Sequence, residues 1–258
     1  MRRRYIFFDI DNTLVSHVGT SHVPPETREA LRRLRDAGHV PAIATGRGGF
    51  LTRRVAEELG VELLVCADGA QLLNGEETLE TSWLPEPALA SFLRIAREQP
   101  AMTAALDEEY IYTLNDTGEF RDYFDAQAGR PCIRPLGEMR RALLCYLMAA
   151  PPLPGGCGIF SDPPEGVVLE HMRYFVEARA AGTSKWLGIR RVMERLGAAL
   201  DDVIVFGDGP NDVEMLRLAP VGVAVGRACA AAKEAADLVA GDIDEGGILR
   251  ACADLGLL

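Results

Sequence analysis

Asp9 and Asp11 stand two positions apart, directly after the apolar run Tyr5–Phe8. In extended chain such residues point to the same side. Their carboxylates then repel unless a proton or a cation comes between them. The run Asp9-Ile10-Asp11-Asn12-Thr13-Leu14 is not an EF-hand loop, because its sixth position is Leu14, where that loop needs glycine. An acidic turn after a strand would account for the same residues, so this cluster alone does not decide the matter.

Three further clusters share the pattern of polar residues after an apolar run. In Gly207-Asp208-Gly209-Pro210-Asn211-Asp212, Pro210 favours a helix start and puts Asp212 in the first turn, beside exposed N–H groups. Two acids exceed what helix capping needs, which favours a cation site. Ala44-Thr45-Gly46-Arg47-Gly48-Gly49 offers a hydroxyl, flexible amides and a helix N-terminus, the parts of a phosphate cradle. It lacks the GxxxxGK[ST] pattern of a P-loop, and a polar strand–helix turn is the plain alternative. In Gly182-Thr183-Ser184-Lys185, Thr183 is placed to cap the next helix and Lys185 falls in its first turn. The helix dipole disfavours a cation there, which facing anions would offset.

If the four clusters converge, Asp9, Asp11, Asp208 and Asp212 against Lys185 leave a net charge of −3. A phosphate dianion would not enter such a site. A divalent cation brings the charge to −1, and protonation of Asp11 brings it to zero. Oxygen ligands around a phosphate point to Mg²⁺.

The elements that must position these residues are legible from periodicity. Tyr5–Phe8, Val40–Ala44 and Val61–Cys66 read as buried strands, separated by helical patterns that open at Pro24-Pro25-Glu26 and run over Phe50 to Leu59. Strand and helix alternate again from Thr183. Trp186, Ile189, Met193 and Leu196 form one helical face, Val203–Phe206 and Val221–Val225 are strands, and Asn211–Leu218 and Cys229–Ala236 are helices. This rhythm predicts an α/β fold with a Rossmann-like parallel sheet. Such sheets bind ligands at the carboxyl ends of their strands, where Asp9, Thr45 and Asp208 lie.

Between these halves the pattern changes. A hairpin is predicted over Gln71–Thr81 around Asn74-Gly75, a helix over Pro85–Gln99, and short strands at Tyr110–Leu114, Leu143–Met148, Gly158–Phe160, Val167–Glu170 and Phe175–Ala178. The run Pro151–Gly156 reads as a connecting loop. The expected organisation is a core of residues 1–79 plus 182–258, interrupted by an inserted α+β domain over 80–181.

Bulk properties narrow the function. The 258 residues are 48% hydrophobic and carry a net charge of −11, which supports a folded core and opposes binding to nucleic acid or anionic membranes. No apolar stretch reaches transmembrane length. The stretch after Arg2-Arg3-Arg4 is too short for a signal core, so the cytoplasm is the expected compartment. The six cysteines form no CxxC pair, which predicts reduced thiols rather than zinc or disulfides. Oligomeric state is not readable from these patterns.

In their order along the chain, at Asp9, Thr45, Lys185 and Asp208, the four clusters resemble the motifs of the haloacid dehalogenase superfamily, and most closely its Cof-like members, which carry a large α/β cap between the second and third motifs. Val176-Glu177-Ala178 before Gly182-Thr183-Ser184-Lys185 fits the same pattern. The resemblance implies a phosphatase acting on a small phosphorylated metabolite, a sugar phosphate or similar. It implies that Asp9 is the nucleophile that becomes an aspartyl-phosphate. Asp11 would be the general acid and then the general base. Thr45 and Lys185 would hold the phosphoryl oxygens. Mg²⁺ would be bound by Asp9, the backbone carbonyl of Asp11 and Asp208, with Asp212 helping, and Gly46, Arg47 and Asn211 would contact phosphate or substrate. A phosphomutase of the phosphomannomutase type and a non-catalytic metabolite-binding protein are the alternatives. Two positions depart from the Cof-like pattern: Asp68 in Asp68-Gly69-Ala70, where asparagine is usual, and Arg227 in Gly226-Arg227-Ala228, also usually asparagine. Both follow strands, so they are candidates for a compensating ion pair, with two solvated rim residues as the alternative.

Overall fold

The computed structural model describes residues 2–98, 102–148, 165–171 and 175–258. The chain divides into two compact units. One comprises Met1–Gly46, Val55–Thr78 and Ser184–Leu258, the other Arg47–Arg54 and Leu79–Thr183. The grouping of Arg47–Arg54 with the second unit has no counterpart in the hydrophobic pattern.

The first unit opens with β1 (Tyr5–Phe8), α1 (Pro25–Asp36), β2 (Val40–Ala44), α2 (Gly49–Leu59), β3 (Leu63–Cys66), β4 (Gln71–Asn74) and β5 (Glu77–Thr81); the first half of α2 and the last residues of β5 count with the second unit. In the second unit follow α3 (Glu86–Glu98), β6 (Met102–Leu106), β7 (Ile111–Leu114), α4 (Gly118–Ala128), β8 (Ile133–Pro135), β9 (Leu144–Met148), β10 (Val167–His171) and β11 (Phe175–Ala180). The first unit resumes with α5 (Lys185–Arg195), β12 (Val203–Gly207), α6 (Val213–Leu218), β13 (Val221–Ala224), α7 (Ala230–Ala235), β14 (Leu238–Val239) and α8 (Gly247–Asp254). The predicted strand Gly158–Phe160, the loop Pro151–Gly156 and Cys157 lie outside the described residues.

The sheet of the first unit has the order β14-β13-β12-β1-β2-β3-β4-β5. β1 pairs in parallel with both β12 and β2, β2 with β3, and β12 with β13, while β4 turns back antiparallel to β3. This is an α/β fold with a parallel-sheet core. Ile6, Phe7 and Phe8 are buried on both faces, which is why β1 reads as a continuous apolar run. Each such side chain contributes roughly 1.5–3 kcal/mol of burial. The Phe8 and Phe206 rings stack at 4.8 Å between centroids. α1 buries Thr27, Ala30, Leu31 and Leu34, an i, i+3, i+4, i+7 stripe.

Register places the chemistry. Phe8 is level with Phe206 on one side and with Ile43 on the other. Asp9, Thr45 and Asp208 therefore leave the sheet at the same edge. From β1 the chain moves to β2, and β12 joins on the opposite side, which makes this edge a topological switch point.

The second unit has a mixed sheet of order β10-β11-β9-β6-β7-β8. Its core gathers Leu89 and Phe92 of α3 with Ala105, Leu136, Met139 and Cys145. α4 was not predicted, and none of its residues is buried. Thr117 caps it by accepting from Phe120 N, and Gly129 ends it at φ 68°. Among the described residues, Cys66, Cys132, Cys145, Cys229 and Cys252 form no disulfide, and no helix is long and apolar enough to cross a membrane.

Candidate active site

Asp9 follows β1 as the next residue, and its backbone N–H donates to the Phe206 carbonyl at 2.9 Å. The parallel ladder thus continues one step beyond the strand and fixes the base of its side chain. Lys185 is the first residue of α5. The cap of that helix is Ser184, whose Oγ accepts from Leu187 N, and not Thr183 as the sequence predicts. The Thr183 hydroxyl instead donates to the Ala180 carbonyl. The predicted apolar face of α5 is also shortened, since Leu196 is exposed.

Lys185 Nζ donates to Asp9 Oδ1 at 2.7 Å and to Asp212 Oδ1 at 2.6 Å. The lysine is only 1% exposed. Burial opposes its charge, but the carboxylates of Asp212 and Asp9 outweigh burial and hold the ammonium well above its ordinary range. This answers the dipole objection to a lysine at a helix start, because both carboxylates face it.

Asp212 does two jobs. While Oδ1 meets Lys185, Oδ2 accepts from the backbone N–H groups of Asp208 and Gly209 at 2.9 and 2.8 Å. The loop after β12 is therefore wound around a buried carboxylate. Gly207 must lack a Cβ for this, since one would lie 2.5 Å from the Asp212 carboxyl carbon. Pro210 starts a short 3₁₀ turn over Pro210–Asp212, so α6 begins only at Val213, later than the predicted Asn211.

Asp9, Asp208 and Asp212 each bring a carboxylate oxygen within 4.8 Å of the other two. Their electrostatics record the crowding. Burial pushes the Asp9 carboxyl well up, with Asp212 and Asp11 adding to it against the pull of Lys185. Burial and Asp212 push Asp208 up to about 6. Three carboxylates gathered this closely make a set of hard oxygen donors suited to a divalent cation of the magnesium type. Thr13, to which the sequence assigns no role, is wholly buried and donates its hydroxyl to Asp208 Oδ1 at 3.0 Å, which orients that carboxylate.

Asp11 is outside this group. Its side chain is 40% exposed, and Oδ1 lies 2.7 Å from His17 Nε2. Thr45 is buried at the exit of β2, its N–H donating to Val65 O and its carbonyl accepting from Asp68 N. Gly46 follows it in the first unit, and Arg47 is the first residue of the segment grouped with the second. Asn211 Nδ2 donates to Asp68 Oδ1 at 3.0 Å.

Asp68 lies in a turn with three successive positive φ angles, 51° at Ala67, 45° at Asp68 and 84° at Gly69. Left-handed backbone costs a non-glycine residue roughly 1–2 kcal/mol. The turn is held by its bond to Thr45 and by Arg191, which donates to Gly69 O at 2.6 Å. A Cβ at Gly69 would meet Ser184 O at 2.1 Å, so the turn packs directly on the start of α5. The proposed pairing of Asp68 with Arg227 is not formed. Arg227 instead binds Asp242 through two nitrogens at 2.6 and 2.8 Å and Asp244 at 2.7 Å. Nor is Asp68 a solvated rim residue, since it is buried.

With this geometry in view, known proteins are informative. The family model of haloacid dehalogenase-like hydrolases matches residues 6–132 and 162–252. A phosphoglycolate phosphatase of Archaeoglobus fulgidus is 39% identical over 263 residues, spanning 98% of this chain and 97% of its own. The pyridoxal phosphate phosphatase YbhA of Escherichia coli is 26% identical over 259 residues, 94% of each chain. The solved structure of the subclass IIB sugar phosphatase BT4131 superposes with a TM-score of 0.85 at 27% identity, covering 99% of this chain and 100% of that one. The chain belongs to the haloacid dehalogenase-like hydrolases, as a phosphatase of their Cof-like branch.

Proposed function

We propose that the protein is a Mg²⁺-dependent phosphatase of a small phosphorylated metabolite, a sugar phosphate or similar, and that the phosphoryl group passes through Asp9. The observation that carries this reading is the buried Lys185 bridging Asp9 and Asp212, with Asp208 completing the carboxylate group. Asp9, Asp208 and Asp212 would hold the cation together with the Asp11 backbone carbonyl. When bound, the cation would cancel carboxylate charge and draw density from the phosphoryl oxygens.

The chain's own residues supply the remaining steps. An Asp9 carboxylate oxygen forms a bond to phosphorus while the bond from phosphorus to the ester oxygen breaks. Asp11 delivers a proton to that departing oxygen. Asp11, now ionised, removes a proton from water, whose oxygen attacks the Asp9-bound phosphorus. Inorganic phosphate leaves and the Asp9 carboxylate is restored. Lys185, the Thr45 hydroxyl and the Gly46 amide would hold the phosphoryl oxygens as negative charge shifts on them. Asn211 and Arg47 would add contacts to phosphate or substrate.

The second unit would select the metabolite. A phosphoglycolate phosphatase, a pyridoxal phosphate phosphatase and a sugar phosphatase among the relatives support a small phosphorylated substrate without choosing one. The test is phosphate release from para-nitrophenyl phosphate and from a panel of phosphorylated metabolites, with Mg²⁺ and after exhaustive chelation. Release that needs Mg²⁺ is expected, and full activity in the chelated protein would overturn the metal assignment.

A further inference from the structure

We propose that His17 is a positioning residue for Asp11, held in place by a loop that the Arg227 region braces. The proposal rests on the reading of Asp11 as the group that gives and takes the proton.

Asp11 is the carboxylate whose reach matters most to a proton transfer, and its side chain meets His17. Asp9, Asp208 and Asp212 are fixed by Lys185, Thr13 and backbone N–H groups. Asp11 is half-exposed and has two side-chain torsions to fix. A group that must reach a leaving oxygen and then a water loses much of its effect when displaced by about 1 Å.

The segment after Asp11 is folded for this purpose. The Ile10 carbonyl accepts from Leu14 and Val15 N–H, and Asn12 N–H donates to Val15 O, with Asn12 left-handed at φ 59°. The chain then makes a closed loop. Ser16 and His22 exchange both backbone hydrogen bonds, at 2.8 and 3.1 Å, and Gly19 takes the left-handed turn inside it. His17 is the first residue within the closure and Ser21 the last. Their side chains meet, with His17 Nδ1 2.8 Å from Ser21 Oγ, while Nε2 lies 2.7 Å from Asp11 Oδ1. A hydroxyl both donates and accepts, so Ser21 can meet Nδ1 in either role, and the tautomer with its proton on Nε2 donates to an ionised Asp11 while Nδ1 accepts from Ser21.

The base of the loop is anchored in turn. Ser16 Oγ donates to Asp244 Oδ2 at 2.9 Å, and His22 Nε2 lies 3.8 Å from Asp244 Oδ1. Asp244 is bound by Arg227, which also holds Asp242. The arginine that departs from the Cof-like pattern thus braces the loop carrying His17, and the chain Arg227–Asp244–Ser16 ends at Asp11 through His17.

The experiment compares His17→Ala, His17→Gln and Ser21→Ala on two aryl esters with Mg²⁺. Para-nitrophenyl phosphate has a leaving oxygen that needs little protonation, and phenyl phosphate has one that needs more. Because kcat/KM covers attack and departure of the leaving group, His17→Ala should lose roughly 10-fold more on phenyl phosphate than on para-nitrophenyl phosphate, a part of the 10²–10⁴ that positioned proton transfer supplies. His17→Gln, which keeps a side-chain donor near the Nε2 position, should recover most of that loss. Ser21→Ala should show the same pattern at smaller size in a fully folded protein. In the metal-free protein, Asp11→Ala should move the ring-nitrogen resonances of His17. Equal losses on both esters, no loss, or unmoved resonances would each overturn the proposal. A wild-type protein inactive on both esters would instead remove the phosphatase reading beneath it.

Discussion

Asp212 holds Lys185 with one carboxylate oxygen and closes the Asp208 loop with the other. An amide cannot do both, because it has one acceptor oxygen and an NH₂ that would face either an ammonium or two N–H donors. Asp212→Asn should therefore lose stability by roughly 1–3 kcal/mol, the cost of buried donors left unmet. It should also weaken Mg²⁺ binding. Denaturant unfolding without metal and calorimetric titration with Mg²⁺ measure the two effects. A variant as stable as the wild type would show that the loop does not depend on this carboxylate.

The raised carboxyls make a statement about pH. Burial and Asp212 hold Asp208 at about 6 in the folded, metal-free protein, against about 3.9 for a free aspartate. Between these values the folded state carries a proton that the unfolded chain lacks, so Asp208 favours unfolding as pH rises through the window and favours folding as pH falls. Asp9, pushed the same way, adds to it. Metal-free wild type should gain stability relative to Asp208→Asn between pH 7 and pH 4.5. Mg²⁺ should reduce that difference by stabilising the ionised carboxylates. Thermal unfolding of both proteins across this range, with and without Mg²⁺, is the measurement. A difference independent of pH would remove the crowding argument.

Much of this site was legible because its residues directly follow short apolar runs. A strand buried on both faces announces itself, and Asp9, Thr45 and Asp208 stand where such strands stop. The unforeseen parts depend on contacts between distant segments. Nothing local predicts that Thr13 meets Asp208 across 195 positions. Nothing local predicts that Ala67 and Asp68 adopt positive φ, since neither is glycine. α4 is not legible because it buries no residue and so has no apolar stripe. β6 is built largely of Thr103, Ala104 and Ala105, whose small side chains give a weak alternating signal. α8 was also missed, although it buries Ile248 and Cys252, because it is only about two turns long.

Asp9→Asn separates the proposed chemistry from the fold. It removes the attacking carboxylate and should lower turnover by about 10⁴-fold or more, as loss of a nucleophile does. It also relieves the excess of negative charge around Lys185 while leaving an amide oxygen that can accept from Nζ. The metal-free variant should consequently be no less stable than the wild type at pH 7. Activity assays and thermal unfolding on the same preparation decide the point. Substantial residual turnover would reject Asp9 as the nucleophile.

The two departures from the family pattern should behave as members of two separate networks. Asp68 accepts from Asn211, and its charge reaches Lys185, whereas Arg227 is engaged by Asp242 and Asp244. Double-mutant cycles report such membership, because pairs in contact couple by roughly 0.5–3 kcal/mol and distant pairs add. Asp68→Ala with Asn211→Ala should show coupling of about 1 kcal/mol in stability. Asp68→Ala with Arg227→Ala should be additive to within about 0.5 kcal/mol. Asp68→Asn should be milder than Asp68→Ala, for two reasons. Asparagine tolerates the left-handed backbone of this turn, and its side-chain oxygen can still accept from Asn211. It also removes a buried negative charge near Lys185, which should favour an anionic substrate and lower KM. A KM unchanged in Asp68→Asn, together with strong coupling between Asp68 and Arg227, would return these residues to a single compensating pair.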